Sequence, residues 1–493
     1  MDDRAAAESK RRPRRLSWRA RRKAEAVAGG WLSALEVAQP KRVLVFLACL
    51  AGALALTLVP EPTAELDAPQ RRALFIAAFA ALLWISDAVP AFAVGMLVIA
   101  LQVGLLGSER GGASDSSEWE GFAAVLGHPL IWLFFGGLVL AEGLARAGLD
   151  RRLAMAVLER TGDRPAAVLG GTMALCFVLS TVMSNTATTA MVLATFAPLL
   201  ARLDDDEPFV RALILGVAGA ANVGGMASLI GTAPNAIAAG ALAHLDGAPR
   251  VDFLRWLGLG LPVAAVLVVL LWRLLLRVQP PRVERLPMGD LLERDAGAPR
   301  TPFWMRLVVG GTAALTVGLW TTTQWHGIPT AAVAFVPIAV LTTSGVIGAS
   351  ELRRLPWDVL FLLAGGLALG GLIVDTDLDR WLVGLLPLGE LNRVVVALAL
   401  GYLTVLVSNL MSNTAATNLL IPIAFGLSAG REGPIAITIA LSASAAMLLP
   451  IATPPNALAF GTGRLPVRAF LAPGLMLALL APPLALAWAS LWL

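Results

Sequence analysis

Ser180-Thr181-Val182-Met183-Ser184-Asn185-Thr186-Ala187-Thr188-Thr189-Ala190 returns later in the chain as Ser408-Asn409-Leu410-Met411-Ser412-Asn413-Thr414-Ala415-Ala416-Thr417-Asn418, with seven of the eleven positions identical. Both copies lie inside long apolar surroundings. Hydroxyl and amide side chains there cost free energy unless they find partners. A duplicated polar cluster in a hydrophobic chain is the sequence sign of a transport site at a repeat interface.

The duplication extends beyond the motif. Gly136-Gly137-Leu138-Val139-Leu140 matches Gly365-Gly366-Leu367-Ala368-Leu369, and Leu149-Asp150-Arg151 matches Leu378-Asp379-Arg380, both at an offset of 229. The Ser-Asn-Thr copies match at 228, and Gly231-Thr232-Ala233-Pro234-Asn235 matches Ala452-Thr453-Pro454-Pro455-Asn456 at 221. Four matches in one order at near-constant spacing describe one duplicated unit, far longer than a solenoid period.

The chain holds 493 residues, 57% hydrophobic and 15% charged, with a mean hydropathy of +0.75. A soluble chain carries about 25% charged residues. Several windows approach the ~20 apolar residues that cross a bilayer. The composition therefore predicts an all-α polytopic membrane protein. Cys49 and Cys176 fall far apart in predicted spans and read as packing residues. The histidines, His128, His244 and His326, are scattered and form no metal cluster. Residues 10–23 carry nine Lys or Arg and no acid. That stretch reads as a cytoplasmic tail under the positive-inside rule, in contact with lipid headgroups rather than nucleic acid. It is too long and too basic for a secretory signal.

In chain order, residues 1–40 form the basic tail and 41–276 the first repeat. Spans are expected at about 43–59, 72–88, 91–107, 129–147 and 254–276, with a short amphipathic helix at about 150–161. The apolar stretch 165–200 is interrupted by Ser184-Asn185-Thr186 and flanked on both sides by cytoplasm-like charged segments. This favours a re-entrant hairpin with the motif at its tip. Two complete crossings, or one tilted helix, are the alternatives. A helix broken at Gly224-Gly225 and at Gly231 to Asn235 follows at about 209–243. The arginine-rich linker 277–306 is placed in the cytoplasm. The second repeat, 307–493, has spans at about 307–323, 328–346, 357–374 and 468–491, a hairpin at about 394–427 and a broken helix at about 433–464. Counting from a cytoplasmic N-terminus gives eleven crossings plus two hairpins, inverted repeats and an external C-terminus. Glu142, Asp87 and Asp358 fall near span ends and read as interfacial or ion-paired. The 14 Trp read as interface anchors and packing.

Inverted repeats with paired broken helices place a site near the bilayer midplane. At a break, helix N-termini offer partial positive charge and C-termini partial negative charge, so one chain can hold an anion and a cation together. Asn185 and Asn413 each supply a donor and an acceptor. Neither motif nor either later break contains Lys, Arg or His, so the charge of an anionic substrate has to be offset by something bound, and sodium is the candidate. No buried acidic pair is present in these segments to support proton-coupled cation exchange. A membrane-embedded enzyme would need a nucleophile–base pair or metal ligands, and the spans offer neither. An anion channel would need a charged ring.

The two Ser-Asn-Thr motifs, with Gly231-Thr232-Ala233-Pro234-Asn235 and Leu449-Pro450-Ile451-Ala452-Thr453-Pro454-Pro455-Asn456-Ala457, resemble the divalent anion/sodium symporter family, also called solute carrier 13 or INDY-type. The resemblance covers the chain after about residue 40. It implies a homodimer in which each protomer has a scaffold domain and a transport domain moving as an elevator. It implies substrates among C4-dicarboxylates, citrate or sulfate, usually with sodium, some members being exchangers. By the resemblance, Ser184, Asn185, Thr186, Ser412, Asn413 and Thr414 contact substrate, with Thr453 and Pro454 nearby. One sodium site uses Ser180, Asn185 and Gly231, and the other Ser408, Met411, Asn413 and Ala452, largely through backbone carbonyls. Ala233, where the second half has Pro454, departs from the pattern. Together these point to a sodium-coupled carrier of C4-dicarboxylates such as succinate, malate or fumarate, with no organic cofactor. A sulfate carrier, a dicarboxylate exchanger and a sodium/proton antiporter are the rivals of similar architecture. The compact chain, rich in Ala and Arg with only three Lys, suggests a bacterial inner membrane and a GC-rich genome.

Overall fold

The computed structural model describes residues 40–58, 66–107, 118–204, 206–243, 251–287, 301–378, 381, 392–427 and 432–493. The basic tail, most of the acidic loop after the third span, His244, Asp379-Arg380 and the middle of the linker lie outside them. The described residues are helical or connecting, without strands. Among the described residues seven helices are long and apolar enough to cross a membrane, and further apolar helices are shorter.

The first half contains α1 (Pro40–Leu58), α2 (Ala68–Ser86), α3 (Ala91–Leu106), α4 (Pro129–Arg146), α5 (Leu149–Thr161), α6 (Pro165–Ser180), α7 (Asn185–Leu200), α8 (Pro208–Gly224), α9 (Ala233–Ala243) and α10 (Phe253–Val278). The second contains α11 (Phe303–Thr321), α12 (Phe335–Thr343), α13 (Trp357–Asp375), α14 (Arg393–Ser408), α15 (Asn413–Leu427), α16 (Glu432–Ala443), α17 (Pro454–Gly461) and α18 (Leu471–Trp492). Local chemistry sets many of these starts. Proline opens α4, α6, α8 and α17, where its missing N–H is no loss. Asp67 and Gln70 close a capping box at α2, Gln70 N donating to Asp67 Oδ1 at 2.8 Å and Asp67 N to Gln70 Oε1 at 3.2 Å. The expected span at 328–346 is a shorter apolar helix, Thr330–Thr343, helical through Ala334 at φ −61° and ψ −18°, with α12 its longer part. The chain leaves α12 through Gly345 at φ +73°, a left-handed position that ends the helix early.

Apolar side chains fill the interior and also cover much of the outer surface. Helix α8 is buried from Phe209 to Gly224 and α16 from Gly433 to Ala443. By contrast α1 exposes Leu44 and Leu58, the latter by 76%. Helices α8 and α16 stand at the centre. Helix α8 packs on α6, α7, α10 and α17, and α16 packs on α14, α15, α18 and α9. Every α8 contact thus has an α16 counterpart from the other half of the chain. A second, smaller hydrophobic cluster ties α4 to α11 and α12 through Val139, Leu140, Val309 and Leu341. Helices α3 and α13 pack closely, where Gly365 sits directly on Gly95 and no Cβ could be accommodated.

The linker decides one point of topology. Its first residues run back across both ends of the α6–α7 pair. Leu286 N donates to Asp163 O at 2.9 Å just before α6, and Arg285 pairs with Asp163 at 3.4 Å. Arg282 N donates to the buried Glu207 carboxylate at 2.9 Å just after α7, and Arg282 pairs with Asp206 at 3.1 Å. The two ends of the pair therefore meet one short segment and lie at the same end of the bundle. The stretch 165–200 is thus two helices with a break between them, not one continuous helix. Each limb has 16 residues, about 24 Å at 1.5 Å per residue, short of the ~30 Å hydrocarbon core.

Candidate functional site

Each Ser-Asn-Thr copy sits at a break between two helices. After Ser180 the chain tightens, with Thr181 N bonded to Val178 O at 3.2 Å and Val182 N to Leu179 O at 3.1 Å, and restarts at Asn185. Ser184 is the N-cap of α7, its Oγ accepting from Ala187 N at 3.1 Å. Ser412 Oγ accepts from Ala415 N at 3.2 Å in the same way, with α15 beginning at Asn413. The serine of each motif is thus first of all a cap, which starts a helix in an apolar surrounding. Asn185-Thr186 and Asn413-Thr414 consequently occupy the first turns, where backbone N–H groups have no intrahelical partner. Thr189 Oγ1 bonds to Asn185 O and Thr417 Oγ1 to Asn413 O, each at 2.8 Å, so the two turns are built alike.

The broken helices supply the other walls. Helix α8 ends at Gly224 and α9 starts at Ala233; α16 ends at Ala443 and α17 starts at Pro454. Asn235 reaches back into its own break, Nδ2 donating to Ser228 O at 2.7 Å and Gly225 O at 2.8 Å. Asn456 does the same seven residues back, Nδ2 donating to Leu449 O at 3.0 Å. Trp256 Nε1 adds a bond to Met226 O at 3.1 Å. These donors satisfy carbonyls that the breaks set free, which makes irregular backbone tolerable at membrane depth.

Hairpin and broken helix are joined within each half. Ser228 Oγ donates to Thr181 O. Leu448 N donates to Asn409 Oδ1 at 2.9 Å. Across the halves, Asn222 Nδ2 on α8 donates to Thr453 Oγ1 and to Asn456 Oδ1, both at 3.1 Å.

The predicted ligand sets are brought together to different degrees. Ser180 Oγ lies 2.6 Å from Asn185 Oδ1 and 2.7 Å from Ala221 O. A hydroxyl has one proton, and Ala221 O also accepts from Gly225 N at 3.2 Å, so of the two acceptors only Asn185 Oδ1 depends on Ser180 for a donor. Gly231 enters through Gly225. A Cβ on Gly231 would stand 2.5 Å from Gly225 O, and a Cβ on Gly225 2.7 Å from Asn185 Oδ1, so both positions need glycine for close approach. In the second half Ser408 ends α14 and Asn413 opens α15, and Ser408 Oγ and Asn413 Oδ1 are both buried without a partner. Met411 and Ala452 bound the same two breaks, Met411 partly and Ala452 largely buried. Thr453 is 3% exposed and caps α17, whereas Pro454 is exposed.

No ionisable side chain lies within 180–186, 221–235, 408–414 or 444–456. The electrostatics of the site are those of helix ends: α7, α9, α15 and α17 begin at the breaks, and α6, α8, α14 and α16 end there. A cavity of about 270 Å³ between α3 and α13, lined among others by Gln102, His128 and Asp375, includes none of the motif residues. Among the described residues no group of His, Cys, Asp and Glu could hold a metal ion by side-chain charge.

The polar residues that organise the breaks, Asn222, Asn235, Asn409 and Asn456, were not among the expected ligands. Asn235 and Asn456 had a signal, since both follow a proline at the same offset. Asn222 had only its isolation in an apolar helix.

Residues 78–434 match the family model described as citrate transporter. The chain belongs to the citrate transporter family, of the divalent anion/sodium symporter type. It is therefore a membrane transporter and not an enzyme. A sodium-dependent dicarboxylate transporter SdcS of Staphylococcus saprophyticus is 29% identical over 426 residues, 79% of this chain and 80% of that protein. An uncharacterized transporter of Haemophilus influenzae is 30% identical over 413 residues, 80% and 85% of the two chains. Among solved structures, the Alcanivorax borkumensis YdaH transporter aligns with a TM-score of 0.51 at 15% identity, over 82% of this chain and 97% of that one. That likeness concerns the fold alone. In citrate transporter family terms, the paired breaks are where this chain departs most from a plain bundle of crossing helices.

Proposed function

We propose that the protein is a sodium-coupled secondary active transporter of divalent anions, with C4-dicarboxylates such as succinate as substrate. The observation that carries this reading is the pair of serine-capped Asn-Thr helix starts, each beside buried oxygens: Asn185 Oδ1, served only by Ser180, in the first, and the unpartnered Ser408 Oγ and Asn413 Oδ1 in the second. The free N–H groups of α7 and α15 suit two carboxylates. The oxygens of Ser180, Asn185 and Ala221 on one side, and of Ser408 and Asn413 on the other, suit two small cations. Since the site has no charged side chain, the cations would supply the charge that holds a dianion, and this is the coupling. The relatives named as sodium-dependent dicarboxylate transporters support sodium and dicarboxylate together.

The matched contacts of α8 and α16 support inverted repeats, and the short limbs of α6–α7 support a re-entrant hairpin. The separate cluster of α4, α11 and α12 supports a scaffold against which α6–α10 and α14–α18 move as an elevator in a homodimer. The N-terminus is placed in the cytoplasm of a bacterial inner membrane and the C-terminus outside.

The test is succinate uptake into proteoliposomes with and without an inward sodium gradient, with sulfate as competitor. Sodium-stimulated uptake that sulfate barely inhibits is the expected result. Uptake driven only by internal dicarboxylate would make the protein an exchanger, and transport of sulfate without succinate would move the substrate.

A further inference from the structure

We infer that Asn222 is a positioning residue that forces the Thr453 hydroxyl to act as a hydrogen-bond donor toward the bound anion. The inference rests on the proposed transport of a dicarboxylate and goes beyond it, because it assigns the direction of one proton and the residue that sets it.

The argument starts at a carbonyl, whose polarity is fixed. Leu449 O accepts from Asn456 Nδ2 at 3.0 Å. The other end of that amide, Asn456 Oδ1, must then be the acceptor facing Asn222 at 3.1 Å. Only the Nδ2 of Asn222 can serve it, so the Asn222 amide has one allowed orientation. The same Nδ2 carries a second proton, which reaches Thr453 Oγ1 at 3.1 Å. Asn456 N, at the start of α17, also donates to Thr453 Oγ1 at 3.3 Å. A hydroxyl oxygen has two lone pairs and one proton. Both acceptor places are taken by N–H donors, and among the described residues the Thr453 proton has no acceptor. It is left to be given to a ligand oxygen.

The orientation is imposed on Asn222 at a cost. Asn222 is 1% exposed, and its Oδ1 is buried without a partner. A side chain placed there only to join α8 to α17 would gain by using that oxygen. The arrangement also exists on one side only. The sequence offset that pairs Asn235 with Asn456 pairs Asn222 with Ala443. Asn235 accordingly has no amide to face, and its Oδ1 is unpartnered. Thr232, the counterpart of Thr453, therefore has no such partner at 443. The relay is a feature in which the two halves have diverged, and it makes the α17 side of the site selective for an acceptor.

The experiment measures succinate binding at saturating sodium for the wild type, Asn222→Asp, Thr453→Val and the double variant. In Asn222→Asp the donor becomes an acceptor at nearly unchanged shape, and the Thr453 proton turns to it. The dissociation constant for succinate is expected to rise about 10- to 100-fold, the range for one hydrogen bond to a charged group. Thr453→Val is expected to give a similar rise. The two together should cost no more than Thr453→Val alone. Sodium-dependent thermal stabilisation without succinate should persist in all four proteins. Should Asn222→Asp not purify, Asn222→Leu takes its place; it removes the donor without supplying an acceptor, so the Thr453 proton is no longer held toward the anion and a smaller rise, of a few-fold, is expected. Wild-type affinity in the Asn222 variant overturns the inference. So does an equal additional loss in the Thr453→Val background, which is what simple charge repulsion or general damage would give. A wild type that binds no dicarboxylate in sodium fails the transport reading itself and removes this inference with it; normal wild-type binding with an unaffected variant fails the inference alone.

Discussion

Adding one methyl group at Gly225 tests whether Asn185 belongs to a cation site. Gly225 has φ −60° and ψ −23°, ordinary helical values that alanine adopts freely. Backbone conformation therefore does not oppose Gly225→Ala, and helix propensity favours it by about 1 kcal/mol. The obstacle is steric and falls on one side chain. The new Cβ would stand 2.7 Å from Asn185 Oδ1, 2.9 Å from Nδ2 and 3.2 Å from Cγ, whereas ordinary contact begins at 3.4 Å. The amide must retreat by roughly 0.7 Å, because atoms inside their contact distance repel steeply. It cannot do so and keep its 2.6 Å approach to Ser180 Oγ. Overpacking of this kind costs about 1–3 kcal/mol in stability, which a membrane protein with such a buried centre should survive. A ligand group displaced by most of an ångström loses roughly 10- to 100-fold in function. The sodium concentration for half-maximal uptake should rise by that factor in Gly225→Ala proteoliposomes. Gly311→Ala, where nothing lies within 4 Å of the new Cβ, should behave as wild type. An unchanged sodium dependence in folded Gly225→Ala protein would refute the claim that Asn185 and Ser180 hold a coupling ion.

Ser408→Ala should have opposite effects with and without sodium. Its hydroxyl is buried and unpartnered, so deletion should stabilise the sodium-free protein, while the sodium-dependent rise in melting temperature shrinks; an equal loss in both conditions would count against a cation there. Outside the membrane, Ser350 and the Gly348 N–H bond the Glu351 carboxylate, which also pairs with Arg146, and together they hold it down to about 2. A depressed carboxylate stabilises the fold above its unfolded value of 4.5, and that contribution is lost as pH falls through about 2. Thermal melts should lose stability between those limits in wild type and less so in Glu351→Gln, and parallel pH curves would sink the assignment.

Much of this architecture could be read from residue types because lipid leaves few options. Backbone groups in hydrocarbon must be satisfied internally, so apolar runs became helices, and the interruptions at Ser184-Asn185 and Gly224-Gly225 became real breaks. Helix starts at Pro129, Pro165 and Pro208 were legible for the same local reason. The helix expected at 328–346 is shorter, Thr330–Thr343, because hydropathy does not register the exit at Gly345. The site was legible as two motifs and four breaks but not as a wiring pattern. Asn222 and Thr453 are 231 residues apart, and their bond depends on how α8 meets α17, which no local pattern encodes. The linker was legible as a charged segment. Its bond to the buried Glu207 carboxylate was not, because one acid before Pro208 looks like any helix cap.

The positions where the two halves differ carry the most information about function. Duplication alone would give two equivalent half-sites, each a capped helix start facing a break, and a symmetric dianion would fit such a frame. The matched positions are not equivalent. At the offset of 221, Ala221 pairs with Ser442, Asn222 with Ala443 and Ala233 with Pro454. In the first half a backbone carbonyl, Ala221 O, approaches Ser180. In the second, Ser408 Oγ and Ser442 Oγ are both buried without partners. Asn222 serves Thr453, while Ala443 can offer Thr232 nothing. A symmetric ligand does not require these differences, yet they fall on residues in or beside the breaks rather than on the lipid-facing surface. If the proposed function holds, these substitutions would make the two cation positions unequal and give the anion position one hydroxyl of fixed polarity.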